Sequence, residues 1–333
     1  MAGSTDGAAS GRAGRPRSYR GTSGEPVVPP YPSRVDLHTH SRRSDGVLEP
    51  ADLVRAAAAV GVRTLALADH DTLAGVRELR AGHALPLELI PGVEINSVAD
   101  PADNLWEGEL HILALGVDPD DDAFEAALER QRAGRLSRFQ MIVSRLAELG
   151  MGVDEPVEQL MSTQGAAIGA SLGRPQIARC LVEAGHATSV DDAMKRLLAR
   201  GQPAYVPRRG LGPAEAIAAI RAAGGVASLA HFADAARRID LVRELAATGL
   251  NGIEVHYRHF DAATVVSVGA VARELGLVPT GGSDFHGDTE TYAEAHTQLF
   301  VPDEDVLALR AALAVPDARA TLAADAGVGG VRT

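Results

Sequence analysis

Val35-Asp36-Leu37-His38-Thr39-His40 decides the reading of this chain. Val35 and Leu37 alternate with polar residues as in a strand, and side chains two apart on a strand share a face, so His38 and His40 converge on one point. The same kind of ending recurs downstream. Apolar runs at 63–68 and 88–94 lead into Ala68-Asp69-His70-Asp71 and Pro91-Gly92-Val93-Glu94. Runs at 226–230, 251–256 and 277–281 lead into Leu229-Ala230-His231, Glu254-Val255-His256 and Ser283-Asp284-Phe285-His286. The run at 109–116 carries Glu109-Leu110-His111 near its start, where the rule of strand ends fits less well. A further strand is expected at 296–300.

Between these runs lie helical patterns near 50–60, 73–82, 213–223, 234–248, 261–275 and 303–313. Strands alternating with helices predict a parallel α/β barrel. Residues 122–200 interrupt the alternation with successive helices, near 122–149, 174–185 and 190–200. The layout expected is therefore a barrel over 34–121 and 201–315 and a helical insertion over 122–200 that caps the site. Residues 1–33, rich in Gly, Ser, Pro and Arg, are expected to form a disordered leader, and 316–333 a flexible tail.

Composition narrows the function classes. The chain of 333 residues carries a formal charge of −12, which argues against binding a nucleic-acid duplex through a broad basic face. No run of about 18 apolar residues is present, so no membrane span is expected and a cytoplasmic location is the default. Cys180 is the only cysteine, which removes intramolecular disulfides and thiolate metal clusters.

A lone His-X-His is commonly structural, Asp-His-Asp can cap a helix, and His231 alone can be a core histidine. Imidazole or carboxylate at nearly every strand end is harder to explain by packing. It is what a metal centre at the C-terminal mouth of a barrel requires, because sites there are assembled from loops after different strands. Neutral imidazole with carboxylate suits Mn, Fe or Zn.

Asp-Leu-His-Thr-His-Ser followed by Ser44-Asp45-Gly46, then Ala-Asp-His-Asp-Thr, Pro-Gly-Val-Glu-Ile, Leu-Ala-His and Gly-Ser-Asp-Phe-His-Gly resemble the PHP (polymerase and histidinol phosphatase) phosphoesterases. The likeness spans about 34–300, with the motifs in the family's order. It implies a distorted seven-stranded (β/α) barrel holding three divalent ions, with Mn2+ expected and Fe2+ or Zn2+ accepted by the same donors. Carried over by position, His38, His40 and Asp284 would hold the first ion, and Glu94 would bridge to a second completed by His111 and His231. Asp45, His70 and His286 would hold the third. The implied nucleophile is a hydroxide between the ions, with no attacking side chain. Asp36 and Asp69 are candidates for orienting ligand imidazoles.

Gly173-Arg174-Pro175-Gln176-Ile177-Ala178, Tyr205-Val206-Pro207 and Ala223-Gly224-Gly225-Val226 resemble the nucleoside bisphosphate phosphatase branch. Gln176 stands where that branch has His, Phe232 where it has Pro, and 254–259 is more basic. The implied reaction is removal of the 3′-phosphate from a nucleoside 3′,5′-bisphosphate. The alternatives are AMP hydrolysis and 5′–3′ trimming of short RNA. Arg174 is the first candidate for holding a second phosphate, followed by Arg135 and Arg138, with His256 and His259 at the mouth. Rivals from other classes are a non-catalytic PHP interaction module and a C–N hydrolase of the amidohydrolase barrels. The latter usually needs a bridging lysine, whereas the single lysine here, Lys195, falls in the insertion.

Overall fold

In the computed structural model, the described residues run from 33 to 314, apart from 83, 104, 106–107 and 164–170. A two-residue ladder, Tyr19–Arg20 against Pro26–Val27, precedes them. The remainder of the expected leader and the whole expected tail lie outside the described residues.

Seven strands form one sheet: β1 (Val35–Thr39), β2 (Thr64–Leu67), β3 (Glu88–Val98), β4 (Glu109–Leu115), β5 (Val226–Leu229), β6 (Gly252–Tyr257) and β7 (Val278–Gly282). They pair in sequence order. The pairs β1–β2, β2–β3, β5–β6 and β6–β7 are parallel, but β4 is antiparallel to both neighbours. The expectation of a parallel fold thus holds for four of the six pairings and is corrected at β4. A parallel crossover needs about a dozen residues or more, usually a helix. Ten residues, Ala99 to Gly108, separate the two strands, and the described ones among them hold the 3-10 turn Pro101–Asp103, so the chain reverses directly. The reversal explains His111. The start of β4 lies beside the end of β3, with Asn96 paired to His111, so His111 reaches the mouth from the opposite direction.

The sheet closes at the mouth. Asp284 N donates to His38 O at 2.7 Å and His40 N to Phe285 O at 3.0 Å. Gly282 sits in this seam, where a Cβ would lie 2.3 Å from that of His38, so the closure needs glycine. The strand expected at 296–300 does not form. Thr291 instead caps a short helix, α10 (Tyr292–His296), and Leu299 and Val301 pack as irregular chain.

Helices α1 (Pro50–Ala59), α2 (Ala74–Ala81), α7 (Pro213–Ala222), α8 (Ile239–Ala247) and α9 (Ala262–Leu275) lay apolar faces against the strands. Below the mouth, α11 (Asp303–Leu313) packs Val306 and Leu309 with Val35, Leu37 and Leu113. Period-two alternation puts Ile90 and Glu94 on one face of β3, and Leu115, Leu113 and His111 on one face of β4. Each face is apolar low in the strand and polar at the mouth.

The insertion runs through α3 (Asp122–Glu148), α4 (Asp154–Thr163), α5 (Arg174–Glu183) and α6 (Val190–Ala193), which continues as a π-helical turn over Met194–Leu198. Asp121 starts α3 by accepting from Phe124 N at 2.7 Å. The first turns of α3 bury Phe124 and Leu128 in the barrel core. Its later turns give Phe139, Ile142 and Leu146 to a separate core with Ile177, Cys180, Leu181 and Leu198. One helix therefore belongs to both bodies, and full burial of a side chain such as Leu128 contributes about 2 kcal/mol to the join.

Candidate metal centre

All nine expected ligands meet at the mouth, in three groups whose donor atoms lie within 4.8 Å of one another. The groups are His38, His40, Glu94 and Asp284; Glu94, His111 and His231; and His40, Asp45, His70 and His286. Glu94 is central. Its Oε1 lies 2.8 Å from His111 Nδ1 and 3.0 Å from His231 Nε2. Its Oε2 lies 3.0 Å from His70 Nδ1, 3.3 Å from His40 Nε2 and 3.4 Å from His38 Nε2. Asp45 lies 3.3 Å from both His70 Nε2 and His286 Nε2.

His231 and Asp284 have positive φ, 33° and 50°, and so does Asp71 at 52°. Left-handed backbone is uncommon outside glycine, and three such residues just beyond strand ends mark the mouth as a place where local comfort is given up for side-chain direction.

Whether the donors suit cations is tested by their unmet valences. His38 Nε2, both ring nitrogens of His40 and His70 Nδ1 are buried without hydrogen-bond partners. Buried polar atoms are rarely left so, and imidazole nitrogens facing carboxylates fit divalent ions. Burial pushes the His70 imidazole down to about 4, against the pull of Asp45 and Glu94, and a neutral ring is the form that ligates. Burial also opposes charge on His286, but Asp45 and Asp284 outweigh it and raise that ring to about 10.

Among the described residues, neither Asp36 nor Asp69 bonds an imidazole. Asp36 accepts from Ser283 N at 2.9 Å, Ser283 Oγ at 2.6 Å and Tyr292 OH at 2.7 Å, fixing the chain just before Asp284. Asp69 accepts from Ser41 N, Ser41 Oγ and Ser44 Oγ at 2.6–2.7 Å, fixing the turn that presents Asp45. Both orient chain rather than rings. A carboxylate outside the nine that does meet a ligand imidazole is Glu254, 3.2 Å from His38 Nδ1.

Beside the ligands opens a cleft of about 540 Å3, counted with its open solvent, which Asp45, His70 and His111 line on one side. Arg135, Arg138, Arg174 and Arg208 line it too, with Phe139, Ile142 and Leu172 as an apolar wall. Arg135 Nε donates to Asp71 at 2.5 Å and Arg208 Nη2 to the same oxygen at 2.6 Å. Arg138 is buried, with Nε on Val206 O at 2.7 Å and Nη1 3.2 Å from Glu109. Glu109 is held well below its usual range despite burial by His111, Arg208, Arg138 and Arg174.

His256 is not at the cleft. Its Nε2 lies 3.0 Å from Asp305 Oδ2 on α11, because the irregular register of β6 beyond Glu254 turns it away from the ligands. His259 is exposed and sets its ring edge-on against Tyr257, 5.3 Å between centroids. Gln176 also misses the cleft: its amide donates to Ser44 O and accepts from Gly173 N at 2.8 Å.

The PHP domain model matches residues 36–163. Over 273 residues the chain is 36% identical to the 5′-3′ exoribonuclease Rnm of Escherichia coli K12, covering 77% of this chain and 86% of that one. The chain belongs to the PHP family. It is 32% identical over 279 residues to the 3′,5′-nucleoside bisphosphate phosphatase of Chromobacterium violaceum, covering 81% and 93% of the two chains. A Bifidobacterium adolescentis structure assigned as a metal-dependent phosphoesterase matches with a TM-score of 0.72 at 30% identity, over 84% of this chain and 96% of that one.

Several residues of this PHP mouth escaped the sequence reading. Arg208 stands in an irregular segment after the insertion and has no motif to mark it. Asn96 and Asp71, which hold Arg135, are close in sequence to Glu94 and His70, and that proximity was a usable signal. Tyr257 donates to Asp284 Oδ2 at 3.2 Å from the basic segment after Glu254.

Proposed function

We propose that this PHP protein is a three-ion phosphoesterase acting on a small nucleotide, removing the 3′-phosphate of a nucleoside 3′,5′-bisphosphate. The observation that carries the reading is the contiguity of two features. Three ligand groups, one of them sharing Glu94 with the second and His40 with the third, open directly into a cleft lined by four arginines.

His38, His40, Glu94 and Asp284 would hold one ion, Glu94 with His111 and His231 a second, and Asp45, His70 and His286 a third. Bound divalent ions lower the pKa of water and neutralise phosphoryl oxygens, and Mn2+ suits this nitrogen and oxygen set. The chain supplies the rest. Arg174 and Arg138 hold a second phosphate from the insertion side, since guanidinium matches phosphate oxygens bidentately. Phe139, Ile142 and Leu172 offer the base an apolar wall and keep water from that side. Asp71 keeps Arg135 and Arg208 charged and aimed into the cleft.

Trimming of short RNA from the 5′ end is the second reading, favoured by the 36% identity to a relative of that activity. A C–N hydrolase is disfavoured, because Lys195 pairs with Asp191 on the exposed face of the insertion at 2.8 Å.

The test is phosphate release from adenosine 3′,5′-bisphosphate, AMP and a 5′-phosphorylated RNA oligomer, after chelation and again with Mn2+ restored. Mn-dependent release from the bisphosphate, with AMP much slower, is expected. Preference for RNA would move the substrate to the second reading. No release from any of the three, in metal-loaded protein, would leave the interaction-module reading.

A further inference from the structure

Arg179, on α5, joins two loops that lie far apart in sequence. Its Nε donates to Asp288 Oδ1 at 2.7 Å and its Nη2 to Asp288 Oδ2 at 2.8 Å. The same Nη2 donates to the backbone carbonyl of Asp45. Asp288 stands two residues beyond His286, so one guanidinium grips both loops that carry Asp45 and His286. The loops also meet directly, Val47 N donating to His286 O at 2.8 Å.

The grip matters because of where these two residues sit. Asp45 occupies a turn and His286 irregular chain, neither in a strand. His38, Glu94 and His111 are on strands, and the ladder sets their positions. Asp45 is placed instead by the turn of 42–45, by Asp69 from below and by the insertion from above. Besides Arg179, the insertion gives Gln176 to Ser44 O and Ser171 N to Arg43 O at 2.8 Å. Arg179 touches both loops at once. A planar fork of donors can make a bidentate carboxylate contact and a carbonyl contact together, which an ammonium cannot.

We infer that Arg179 is a positioning residue for the group His40, Asp45, His70 and His286, and that it sets how tightly that group holds a cation, separately from the other two. The inference rests on the three-ion reading above. It also makes the helical insertion a part of the centre: its helix α5 completes the placement of one ion while its arginines face the substrate cleft. Outer partners of metal ligands commonly account for about 10–100-fold in metal affinity. Arg179 and Asp288 have side chains 27% and 22% exposed and stand outside the apolar cores, so thermal unfolding is read beside metal binding to separate loss of packing from loss of positioning.

The experiment is Mn2+ titration of chelator-stripped protein, with bound metal counted by elemental analysis and the fold followed by thermal unfolding. Wild type, Arg179→Ala, Arg179→Lys and Asp288→Asn would be compared. Arg243→Ala on α8, which breaks exposed contacts with Asp240 on the same helix and Glu274 on α9, is the control. Three ions are expected in wild type and in the control. In the Arg179 and Asp288 variants two ions bind as before and the third binds about tenfold more weakly. An Arg179→Ala protein that keeps all three ions at wild-type affinity overturns the inference and leaves the three-ion reading standing. Equal weakening of all three ions with a lowered melting temperature also overturns it, because the arginine would then merely support the insertion. Fewer than three ions in wild type would overturn the reading and the inference together.

Discussion

His38 Nδ1 and Glu254 Oε1 face each other 3.2 Å apart beneath the mouth, with neither side chain exposed. The other oxygen of Glu254 accepts from His231 N at 2.7 Å. One carboxylate thus holds a ligand ring from β1 and the backbone of a ligand from beyond β5. With Nδ1–H donated to Glu254, the His38 lone pair lies on Nε2, which faces Glu94 and Asp284 at 3.4 Å.

Glu254→Gln keeps the size of the side chain and removes its charge. The imidazole loses its preference for the Nδ1–H tautomer, and metal affinity is expected to fall about tenfold, at the low end for an outer partner. Mn2+ titration of stripped protein reads the change, and a melting curve shows that the fold persists. Wild-type affinity in this variant would mean that packing alone orients His38.

Glu94 belongs to two ligand groups, whereas Asp45 belongs to one. Glu94→Gln is therefore expected to lose two ions and Asp45→Asn one, with metal-dependent phosphate release abolished by the first. Elemental analysis of the purified variants decides it. A full metal complement in Glu94→Gln would remove the carboxylate from the bridging position.

The barrel and the clustering of its candidate ligands were legible in the sequence for one physical reason: strands place their last residues at a common mouth, so residue types at strand ends report what gathers there. His111 broke that rule, and its break reported the reversal of β4, which no periodicity reveals because alternation is the same in both directions. The cleft was less legible. Arg208 acts from irregular chain and Tyr257 from the end of β6 beyond its register shift, where no simple period links residue number to direction. His256 looked equivalent to His231 by its place after an apolar run, yet an irregularity in β6 register aims it at Asp305. Asp36 and Asp69 stand close to ligands in sequence, yet their carboxylates are taken up by Ser283, Tyr292, Ser41 and Ser44 and so hold the chain that carries the ligands.

Arg174 lines the cleft near Glu109, 3.8 Å from its carboxylate, on the first turn of α5. Arg174→Ala is expected to raise KM for the bisphosphate about tenfold, from loss of a charge-assisted contact of ~1.5 kcal/mol, with kcat within about twofold. Steady-state kinetics on bisphosphate and AMP separate the effects, because AMP lacks the second phosphate and should be little affected. An unchanged KM for the bisphosphate would take Arg174 out of the subsite.

Cys180 reports on the insertion. It lies on α5 in the core with Leu181 and Leu198, and burial followed by the nearby Glu183 pushes its thiol up to about 11. The thiolate is the reactive form, so at pH 8 only about one thiol in a thousand is poised to react, and access is blocked as well. Alkylation of the metal-loaded protein at pH 8 should be slow. The same helix holds the turn of Asp45 through Gln176 and Arg179, so stripping the metal frees that turn and is expected to speed labelling several-fold through local opening of α5. The rate is followed by mass spectrometry with and without chelator, against urea-unfolded protein as the fast limit. Equal rates with and without metal would show that the insertion stays closed whatever the centre holds, and rapid labelling in the loaded protein would contradict the burial of Cys180 itself.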